Sequence, residues 1–510
     1  MRYMLRALPF PWFITAIMSL SVVGNAFGVQ PDAKTETRRI DGYKGIWFTL
    51  GQFYGKGSGD RPYAKVSREP VFPYGDKYSG GLGTYTAKHT PLAIYCPEVE
   101  KTFFVYGGTT GPDERHLLCM ISYFDHKTNQ VPRPVVVHNK QGVDDPHDNP
   151  SLAIDSDGYV WVFVSGRGRS RPGFKYRSTQ PYSIDHFTQI SEEEMTYPQP
   201  HVIADNGMLH LFTKYTGVRE LYWERSKDGV DWTADQKLAG IREPGDSNGG
   251  HYQSSAIRGD KVGTFFNRHP NGNVDRRTDL YYVQTCDMGT SWTTVDGTVL
   301  ETPLVDVNCP ARVVDYASQG LNVYLKDMKF DHSGHPVLLY VTSPGAEPGP
   351  PNDPRHFRIT RWDGADWKTS TIGPTDHNYD MGSLDLGNQN DPVWTVRIPS
   401  ASGPQPWHGG GEVVLWESRN QGGSWVKKRQ VTSNSPKNHN YIRQPLKAKD
   451  PFFVFWADGD PTRMSTSQLY FADRSGQNVW RLPYQMTDDF AEPELVASPS
   501  SADADEKQPK

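Results

Sequence analysis

Short apolar runs separated by polar turns recur along the chain from about residue 40 onward. Residues 102–106, 208–212 and 452–456 are examples, and glycine (48 residues) and proline (40 residues) are frequent in the chain. Short runs bounded by turn-forming residues predict β-strands, whereas the period of amphipathic helices is nearly absent. The pattern therefore predicts an all-β protein.

A turn motif repeats beneath this strand pattern. Each copy places Asp or Asn and a glycine in a turn, and a tryptophan opens the next strand. The tryptophans of the six copies are Trp161, Trp232, Trp292, Trp367, Trp425 and Trp480. In such a turn the carboxylate or amide caps N–H groups, and the glycine adopts a positive φ. The best copies resemble the Asp-box of sialidase-type propellers.

The spacing of the motif indicates how many repeats the chain holds. Successive tryptophans are 55 to 75 residues apart, which suits a four-stranded blade with its loops. Residues 41–490 then hold about seven repeats, so we predict a seven-bladed β-propeller with Asp-box-like turns. Two separate β-sandwiches are the alternative, and they would not need evenly spaced turns.

The two ends of the chain differ from this domain. Residues 1–26 carry two arginines, an apolar stretch and a small-x-small cleavage pattern, which predict a secretory signal peptide. Residues 27–40 are predicted to be a linker and residues 491–510 a disordered tail. No other stretch is apolar for long enough to span a bilayer. We expect a secreted or periplasmic monomer, without membrane attachment once the signal is cleaved.

Charge and cysteine usage narrow the class further. The formal net charge of -5 argues against a general nucleic-acid binder, which would need a basic surface. Four scattered cysteines, Cys96, Cys119, Cys286 and Cys309, are too few for a disulfide scaffold. Buried free thiols are favoured over one or two bridges, or over a zinc site that uses Cys286 or Cys309.

The most densely charged loop is residues 144–150. It contains three aspartates, His147 and Asn149, and a hairpin of apolar strands follows it at once. Polar loops on a rigid scaffold often carry function, so His147 is a candidate for proton transfer; a structural histidine that caps a turn is the alternative. Arg167 and Arg169 follow about twenty residues later, in a segment that is either a solvated loop or a subsite for sulfate or carboxylate.

A second group of candidates flanks a predicted hairpin. Strands over residues 254–258 and 261–266 are joined by a turn, with His251 and Tyr252 before the first strand and Arg268 and His269 after the second. A hairpin of this length returns Arg268 to the end where Tyr252 lies. We therefore expect the phenol and the guanidinium to face one space, with His147 reaching it from another blade.

This set of groups suits β-elimination at a uronic acid. The reaction needs a base for the C5 proton, an acid for the leaving glycosidic oxygen, and a cation that stabilises the charge developing on the carboxylate. Arg268 is expected to bind the carboxylate, because a guanidinium pairs with it bidentately. His147 and Tyr252 would be base and acid, in either order.

At these residues the chain resembles the BNR-repeat polysaccharide lyases, seven-bladed propellers that include ulvan lyases. The resemblance rests on the loop from His147 to Pro150, the separation of sixteen between Tyr252 and Arg268, and the strand over residues 322–327. Residues 42–48 and 78–85 are also similar to the family. It implies a lyase that acts on an anionic, uronate-containing polysaccharide, ulvan-like and in that case sulfated. It also implies acid/base roles for His147 and Tyr252 and a neutralising role for Arg268.

Other family positions are matched less directly. Family members carry a second histidine where this chain has Arg167 and Arg169. A further family tyrosine corresponds to Tyr316 or Tyr324, and a metal-binding histidine to His332 or His335. The predicted substrate-binding residues are thus Asn149, Arg167, Arg169, His251, His269, Tyr316 and Tyr324. No cofactor is expected for the chemistry itself, and a structural zinc or calcium ion remains open.

Two other functions compete with the lyase. A sialidase-like hydrolase would need three arginines on one carboxylate and a Tyr–Glu nucleophile pair, and no convincing pair can be assembled from the sequence. A non-catalytic carbohydrate-binding propeller would use aromatic loops, such as the one around Trp407, to stack on sugars.

Overall fold

The computed structural model describes residues 38–49, 74, 77–111, 116–141, 143, 145–215, 217–463 and 465–496. Regular structure in these ranges consists of β-strands and three short 3-10 turns, Pro146–Asp148, Pro270–Gly272 and Pro350–Asn352. The strands form seven successive blades, which confirms the predicted all-β, seven-bladed propeller. The predicted signal peptide, linker residues 27–37 and tail residues 497–510 lie outside the described residues.

Blades 1 to 3 occupy the first half of the described chain. Blade 1 contains Arg38–Arg39, Ala93–Cys96, Lys101–Gly108, Leu118–Asp125 and Val135–Asn139. Blade 2 contains Pro150–Ile154, Val160–Val164, Gly173–Ser178 and Phe187–Glu193. Blade 3 contains Thr196–Ile203, Gly207–Lys214, Glu220–Ser226 and Gln236–Ala239.

Blades 4 to 7 follow in the same antiparallel order. Blade 4 contains His251–Arg258, Lys261–Arg268, Thr278–Thr285, Trp292–Thr293, Val299–Leu300 and Arg312–Val314. Blade 5 contains Asn322–Phe330, Pro336–Ser343, Arg355–Trp362 and Trp367–Thr375. Blade 6 contains Ser383–Asp385, Trp394–Ala401, Glu412–Ser418 and Val426–Gln430. Blade 7 contains Asn438–Arg443, Val454–Gly459, Leu469–Ala472, Val479–Arg481 and Glu494–Val496.

The core lies between neighbouring blades. Middle strands such as Pro336–Ser343 are buried along their whole length, because another blade covers each face of the sheet. One apolar cluster joins three blades through Phe104, Val162 and Phe455. First strands of adjacent blades contact one another around the centre of the propeller. Side chains at the ends of these first strands are therefore brought together from several blades.

The ring closes between blades 7 and 1. The Tyr95 N–H donates to the Leu446 carbonyl at 2.9 Å, and the short strand Phe490–Ala491 pairs with Val131–Pro132 next to blade 1. A further two-stranded ladder joins Trp47–Thr49 to Ser79–Gly81. The strand Glu494–Val496 adds to the edge of blade 7, so the fold continues beyond the domain boundary predicted at residue 490. Pairing of the terminal segments covers sheet edges that would otherwise be exposed.

The repeated turns bond to their own backbone. Asp228 Oδ1 accepts hydrogen bonds from the N–H groups of Val230 and Asp231 at 2.8 and 2.9 Å, and Asn420 Oδ1 accepts one from Ser424 at 2.9 Å. Gly229 has φ +75°, and an added Cβ would lie 2.5 Å from the Trp161 ring. These carboxylates and amides satisfy the turns and leave catalysis to groups elsewhere.

Two further sequence expectations concern cysteines and membranes. All four cysteines are unpaired, with Cys96 and Cys119 buried, Cys309 partly buried and Cys286 exposed. Free thiols are thus found instead of disulfide bridges. Among the described residues, no helix is long and apolar enough to cross a membrane.

Candidate active site

His147 is held by a hydrogen-bonded chain. Asp145 caps the 3-10 turn Pro146–Asp148, and its Oδ1 lies 3.1 Å from the His147 backbone nitrogen and 2.5 Å from Nδ1 of the ring. On the other side of the ring, Nε2 lies 2.9 Å from the Tyr85 hydroxyl. Since the carboxylate accepts the Nδ1 proton, Nε2 is left as the acceptor that faces Tyr85.

Electrostatics keep this imidazole neutral. Burial lowers the pKa of His147 to about 4, and Arg167 acts in the same direction, while Asp145 opposes the shift. Burial acts to raise the pKa of Asp145, but His147, Arg167 and Arg171 outweigh it and hold that pKa well below its usual range. Near neutral pH the pair is therefore a carboxylate and a neutral imidazole. The imidazole carries no charge and can accept a proton.

The other candidates of the His147 loop have different surroundings. Asn149 Nδ2 donates to the carbonyls of Leu82 and Tyr85 at 2.9 and 2.7 Å, so it ties the loop to the segment that carries Tyr85. The Arg167 guanidinium lies 4.8 Å from the centre of the Tyr215 ring. Arg169 is exposed and pairs with Glu194 at 3.4 Å. Arg167, which is partly buried and also lies 3.5 Å from Asp145, therefore faces His147 and Tyr215, whereas Arg169 lies at the surface.

The hairpin of blade 4 places Tyr252 and Arg268 on opposite faces. Its register pairs Tyr252 with Asn267 and His251 with Arg268, and neighbouring positions along a strand point in opposite directions. Arg268 instead lies 2.6 Å from Asp279 and 2.6 Å from Glu243. The expectation that Arg268 shares one space with Tyr252 is wrong, because both residues lie inside the strands and not beyond their ends.

Other cations surround Tyr252. Lys88 Nζ lies 4.6 Å from the centre of the Tyr252 ring, and the Arg277 and Arg219 guanidiniums lie 4.9 and 6.0 Å from it. None of the three pairs with a carboxylate in the part of the chain that the structure describes. Arg277 donates to the Val274 carbonyl and to the Tyr379 hydroxyl, at 2.7 and 2.5 Å. Buried cations without a counter-charge are costly unless an anion binds beside them.

These cations perturb the phenol. Burial acts to raise the pKa of Tyr252, but Arg219 and Arg277, with a hydrogen bond to Tyr215, outweigh it and bring that pKa below its usual value. Burial also drives the pKa of Lys88 well below its usual range, with Arg277 acting in the same direction. A phenol with a lowered pKa is a stronger acid and is more readily ionised, so Tyr252 suits proton transfer.

His147 and Tyr252 are separated by a single aromatic side chain. The centre of the Tyr197 ring lies 5.9 Å from that of His147 and 5.6 Å from that of Tyr252, and the Tyr197 hydroxyl lies 3.0 Å from the Tyr215 hydroxyl. We call this group the hub cluster. Its members are Tyr85, Lys88, His147, Arg167, Tyr197, Tyr215, Arg219, Tyr252 and Arg277.

Of three more predicted substrate-binding residues, His269 and Tyr324 lie near Tyr252 or Arg277, and His251 faces the other side of the hairpin. His269 packs its ring 4.6 Å from that of Tyr252, and neither of its buried ring nitrogens has a hydrogen-bond partner among the described residues. The Tyr324 ring lies 4.4 Å from the Arg277 guanidinium. His251 uses both ring nitrogens within the fold, on the Ile241 N–H and the Asn267 carbonyl, which indicates a structural part.

Tyr316 and the two metal candidates lie outside the hub cluster. The Tyr316 hydroxyl lies 2.6 Å from that of Tyr340, between blades 4 and 5. His335 lies 3.7 Å from Asp331, and the His332 carbonyl accepts a hydrogen bond from Arg258 at 2.6 Å. Within the described ranges, the group of three possible metal-ligating side chains is Glu193, Glu224 and Asp235, which includes neither histidine.

That acidic group is already matched by positive charge. Lys175 Nζ lies 2.7 Å from both Glu193 and Glu224, and Lys214 pairs with Asp235. Since ammonium groups occupy the carboxylates that a metal would need, the arrangement does not fit a resident ion.

A family model places the chain among known proteins. A model described as "BNR repeat-containing family member" matches residues 113–374, just over half of the sequence. The chain belongs to the BNR repeat-containing family. This agrees with the family resemblance inferred from the sequence.

Individual relatives of this family member are ulvan lyases. It is 23% identical over 323 residues to an ulvan lyase of Nonlabens ulvanivorans, which covers 56% of this chain and 65% of that protein. It is 22% identical over 322 residues to an ulvan lyase of Alteromonas sp. (strain LOR), which covers 54% and 64%. The chain thus spans just under two thirds of the length of the curated relatives it matches.

A solved structure shows the same fold. A PL25 ulvan lyase bound to -[GlcA(1-4)Rha3S]- matches this family member with a TM-score of 0.64 at 16% identity, covering 78% of this chain and 94% of that chain. At this level of identity the likeness establishes a common propeller fold.

Sequence reasoning missed most of the residues around His147 and Tyr252. Lys88, Arg219 and Arg277 stand outside or at the ends of strands, in segments that the sequence did not single out. Tyr85 ends the segment 78–85, which contributed to the family resemblance, but no role was predicted for it. A usable signal was present in the first strands of the blades. A tyrosine lies near the start of each of Thr196–Ile203, His251–Arg258 and Asn322–Phe330, and such positions face the centre of a propeller.

Proposed function

We propose that this protein is a polysaccharide lyase that cleaves a uronic-acid-containing, ulvan-like polysaccharide by β-elimination. The observation that carries the proposal is the environment of Tyr252. Its phenol has a lowered pKa and lies among Arg219, Arg277 and Lys88, which pair with no carboxylate among the described residues, and one aromatic ring separates it from His147. The similarity to ulvan lyases supports the same class of reaction.

The cations of the hub cluster are suited to the uronate carboxylate. Loss of the C5 proton moves negative charge onto that carboxylate, and preorganised cations in a water-poor site stabilise such charge strongly. In this proposal Arg277, supported by Arg219 and Lys88, takes the neutralising role that the sequence suggested for Arg268. Arg268, held by Asp279 and Glu243, buttresses the hairpin that carries Tyr252.

His147 and Tyr252 then supply the proton transfers. The C5–H and C4–O4 bonds break, a C4–C5 double bond forms, and the leaving oxygen takes up a proton. Neutral His147 acts on the side of the general base, which removes the C5 proton, because its Nε2 is an acceptor and Asp145 stabilises the imidazolium. Tyr252 donates to the leaving oxygen, which a phenol with a lowered pKa can do efficiently.

A panel of uronate-containing polysaccharides tests this proposal. Elimination leaves an unsaturated uronate at the new end of the chain, so ultraviolet absorbance should rise with time. Tyr252→Phe should lower the rate about 10²-fold or more, as expected for loss of an acid/base group. New reducing ends without absorbance would indicate a hydrolase, and binding without products would indicate a carbohydrate-binding propeller; either result would overturn the proposal.

The proposed setting is extracellular or periplasmic. The signal pattern of residues 1–26 supports export, and a polymeric substrate has to be cleaved outside the cell before uptake. We propose a monomer, which size-exclusion chromatography with light scattering would test.

A further inference from the structure

The structure closes off the free nitrogen of His147 with a second tyrosine. The Tyr85 hydroxyl lies 2.9 Å from His147 Nε2, and Nδ1 is held by Asp145. Both side chains are buried, with 4% of His147 and 3% of Tyr85 exposed, and the Tyr85 hydroxyl covers the ring nitrogen that the fold leaves free. A proton that moves between this imidazole and a sugar therefore meets the Tyr85 oxygen first, unless that hydroxyl is displaced.

Tyr85 is fixed firmly in this position. Its backbone carbonyl accepts a hydrogen bond from Asn149 at 2.7 Å, which links it to the His147 loop. Its ring lies 5.0 Å from the Tyr441 ring and 5.3 Å from the Tyr78 ring. Among the described residues, His147 is the hydrogen-bond partner of the Tyr85 hydroxyl. The hydroxyl is thus dedicated to the imidazole and not shared with a structural acceptor.

We propose that Tyr85 is the group through which His147 exchanges a proton with the substrate; this rests on the proposed lyase function. As the C5–H bond breaks, its proton bonds to the Tyr85 oxygen, and the original phenol proton passes to Nε2. The imidazolium that forms is stabilised by Asp145. The electron pair of the C5–H bond becomes the C4–C5 double bond, and O4 leaves with a proton from Tyr252.

The order Asp145, His147, Tyr85 is that of a carboxylate and an imidazole that activate a hydroxyl group. A carboxylate orients an imidazole, and the imidazole accepts the hydroxyl proton as the oxygen reacts. Burial raises the pKa of Tyr85 well above its usual value, so the phenol stays protonated until the imidazole accepts its proton. Besides Tyr78 and Tyr441, the charged or titratable groups near the pair are Arg167, Arg171, His89, Tyr197, Tyr252 and Tyr379.

Substitution of Tyr85 gives the first test. In the full chain acting on a uronate polysaccharide, Tyr85→Phe should lower kcat about 10²-fold or more with little change in KM. Tyr441→Phe is the matched control, since its ring packs against Tyr85 and its buried hydroxyl has no partner among the described residues. If Tyr85→Phe keeps a kcat within about 2-fold of that control while the wild type is active, the inference fails and the lyase proposal stands.

A second test separates chemistry from positioning. A fluorinated tyrosine at position 85 is a more acidic phenol of nearly the same shape, so it should change kcat and move a limb of the pH–rate profile. A Tyr85 that only orients His147 would leave both unchanged, which would overturn the inference. A wild type that forms no unsaturated product from any uronate polysaccharide overturns the lyase proposal and this inference together.

Discussion

Two buried clusters of ionisable groups in this propeller differ in their charge balance. Between blades 2 and 3, Lys175 lies 2.7 Å from both Glu193 and Glu224, and His210 lies 2.8 Å from Glu224. At the hub, Arg219 and Arg277 surround Tyr252 and no carboxylate in the described part of the chain pairs with them. We call the first group the paired network, and the second is the part of the hub cluster around Tyr252.

The difference indicates which cluster is made for a ligand. In the paired network, opposite charges neutralise one another between two blades. They therefore leave no unpaired charge for a ligand to neutralise. A buried group of cations without anions is unfavourable in isolation, and functional sites are where such perturbed groups collect. Arg167 and His147 lie beside Asp145, so the unmatched positive charge of the hub cluster is that of the cations around Tyr252, and in the proposed function the uronate carboxylate neutralises it.

The largest expected effect comes from breaking the paired network. Lys175→Met removes the ammonium group that neutralises Glu193 and Glu224, so the free energy of unfolding should fall by about 3–5 kcal/mol. The matched change in the hub cluster, Lys88→Met, removes a buried amine that has no counter-charge and should leave stability unchanged or higher. Urea denaturation of both variants measures the difference. Equal losses would show that the two clusters do not differ in balance.

The next test replaces Arg277 and Arg268, one at a time, by methionine. Arg277→Met should lower kcat about 10²–10³-fold, because the charge that it meets grows in the transition state. Arg268→Met should mainly lower the melting temperature, since Asp279 and Glu243 lose their partner. Steady-state kinetics and thermal unfolding on the same preparations separate the outcomes. The reverse pattern would return the neutralising role to Arg268.

Anion binding should stabilise the hub cluster. At 100 times its Kd, a saturated uronate oligosaccharide should raise the free energy of unfolding by about 2.7 kcal/mol. A carboxyl-reduced oligosaccharide of the same length is the control and should stabilise less. The increment should shrink in Arg277→Met and persist in Lys175→Met. An equal increment for the reduced sugar would contradict recognition of the carboxylate.

The last test is the pH dependence of stability. Burial lowers the pKa of His147 and of His251 to about 4, below the ordinary value near 6.5 of the unfolded chain. The unfolded state therefore binds protons first, and the stability due to neutral burial is present above about pH 6.5 and is lost as the pH falls toward 4. Urea denaturation across this range should show proton uptake on unfolding. Stability independent of pH would contradict neutral burial.

Local signals predicted the architecture well, and long-range signals were weaker. The Asp-box-like turns, such as the one at Asp228, depend on a few neighbouring residues, so their spacing was sufficient to predict seven blades. The His147 loop was found for the same reason. The blade 4 hairpin was predicted with strands that are too short. Its strands are His251–Arg258 and Lys261–Arg268, so Tyr252 and Arg268 lie within them. Adjacent positions alternate, so Arg268 turns away from Tyr252.

The remaining hub residues come from distant parts of the chain. Tyr85 and Lys88 lie between the strands Ser79–Gly81 and Ala93–Cys96, and Arg277 precedes a strand of blade 4. Tyr85 belongs to a segment that resembles the family, but nothing in the local sequence assigns a role to any of the three residues. Their significance appears only when closure of the propeller brings the blades around one centre.

The most direct measurement compares one polysaccharide with and without its carboxylates. The wild-type protein is incubated with a uronate polysaccharide and with the same polymer after carboxyl reduction, and the absorbance of the unsaturated product is followed. A cationic hub that drives elimination predicts absorbance from the first polymer and none from the second. Cleavage of both polymers at similar rates, or cleavage without absorbance, would contradict the account.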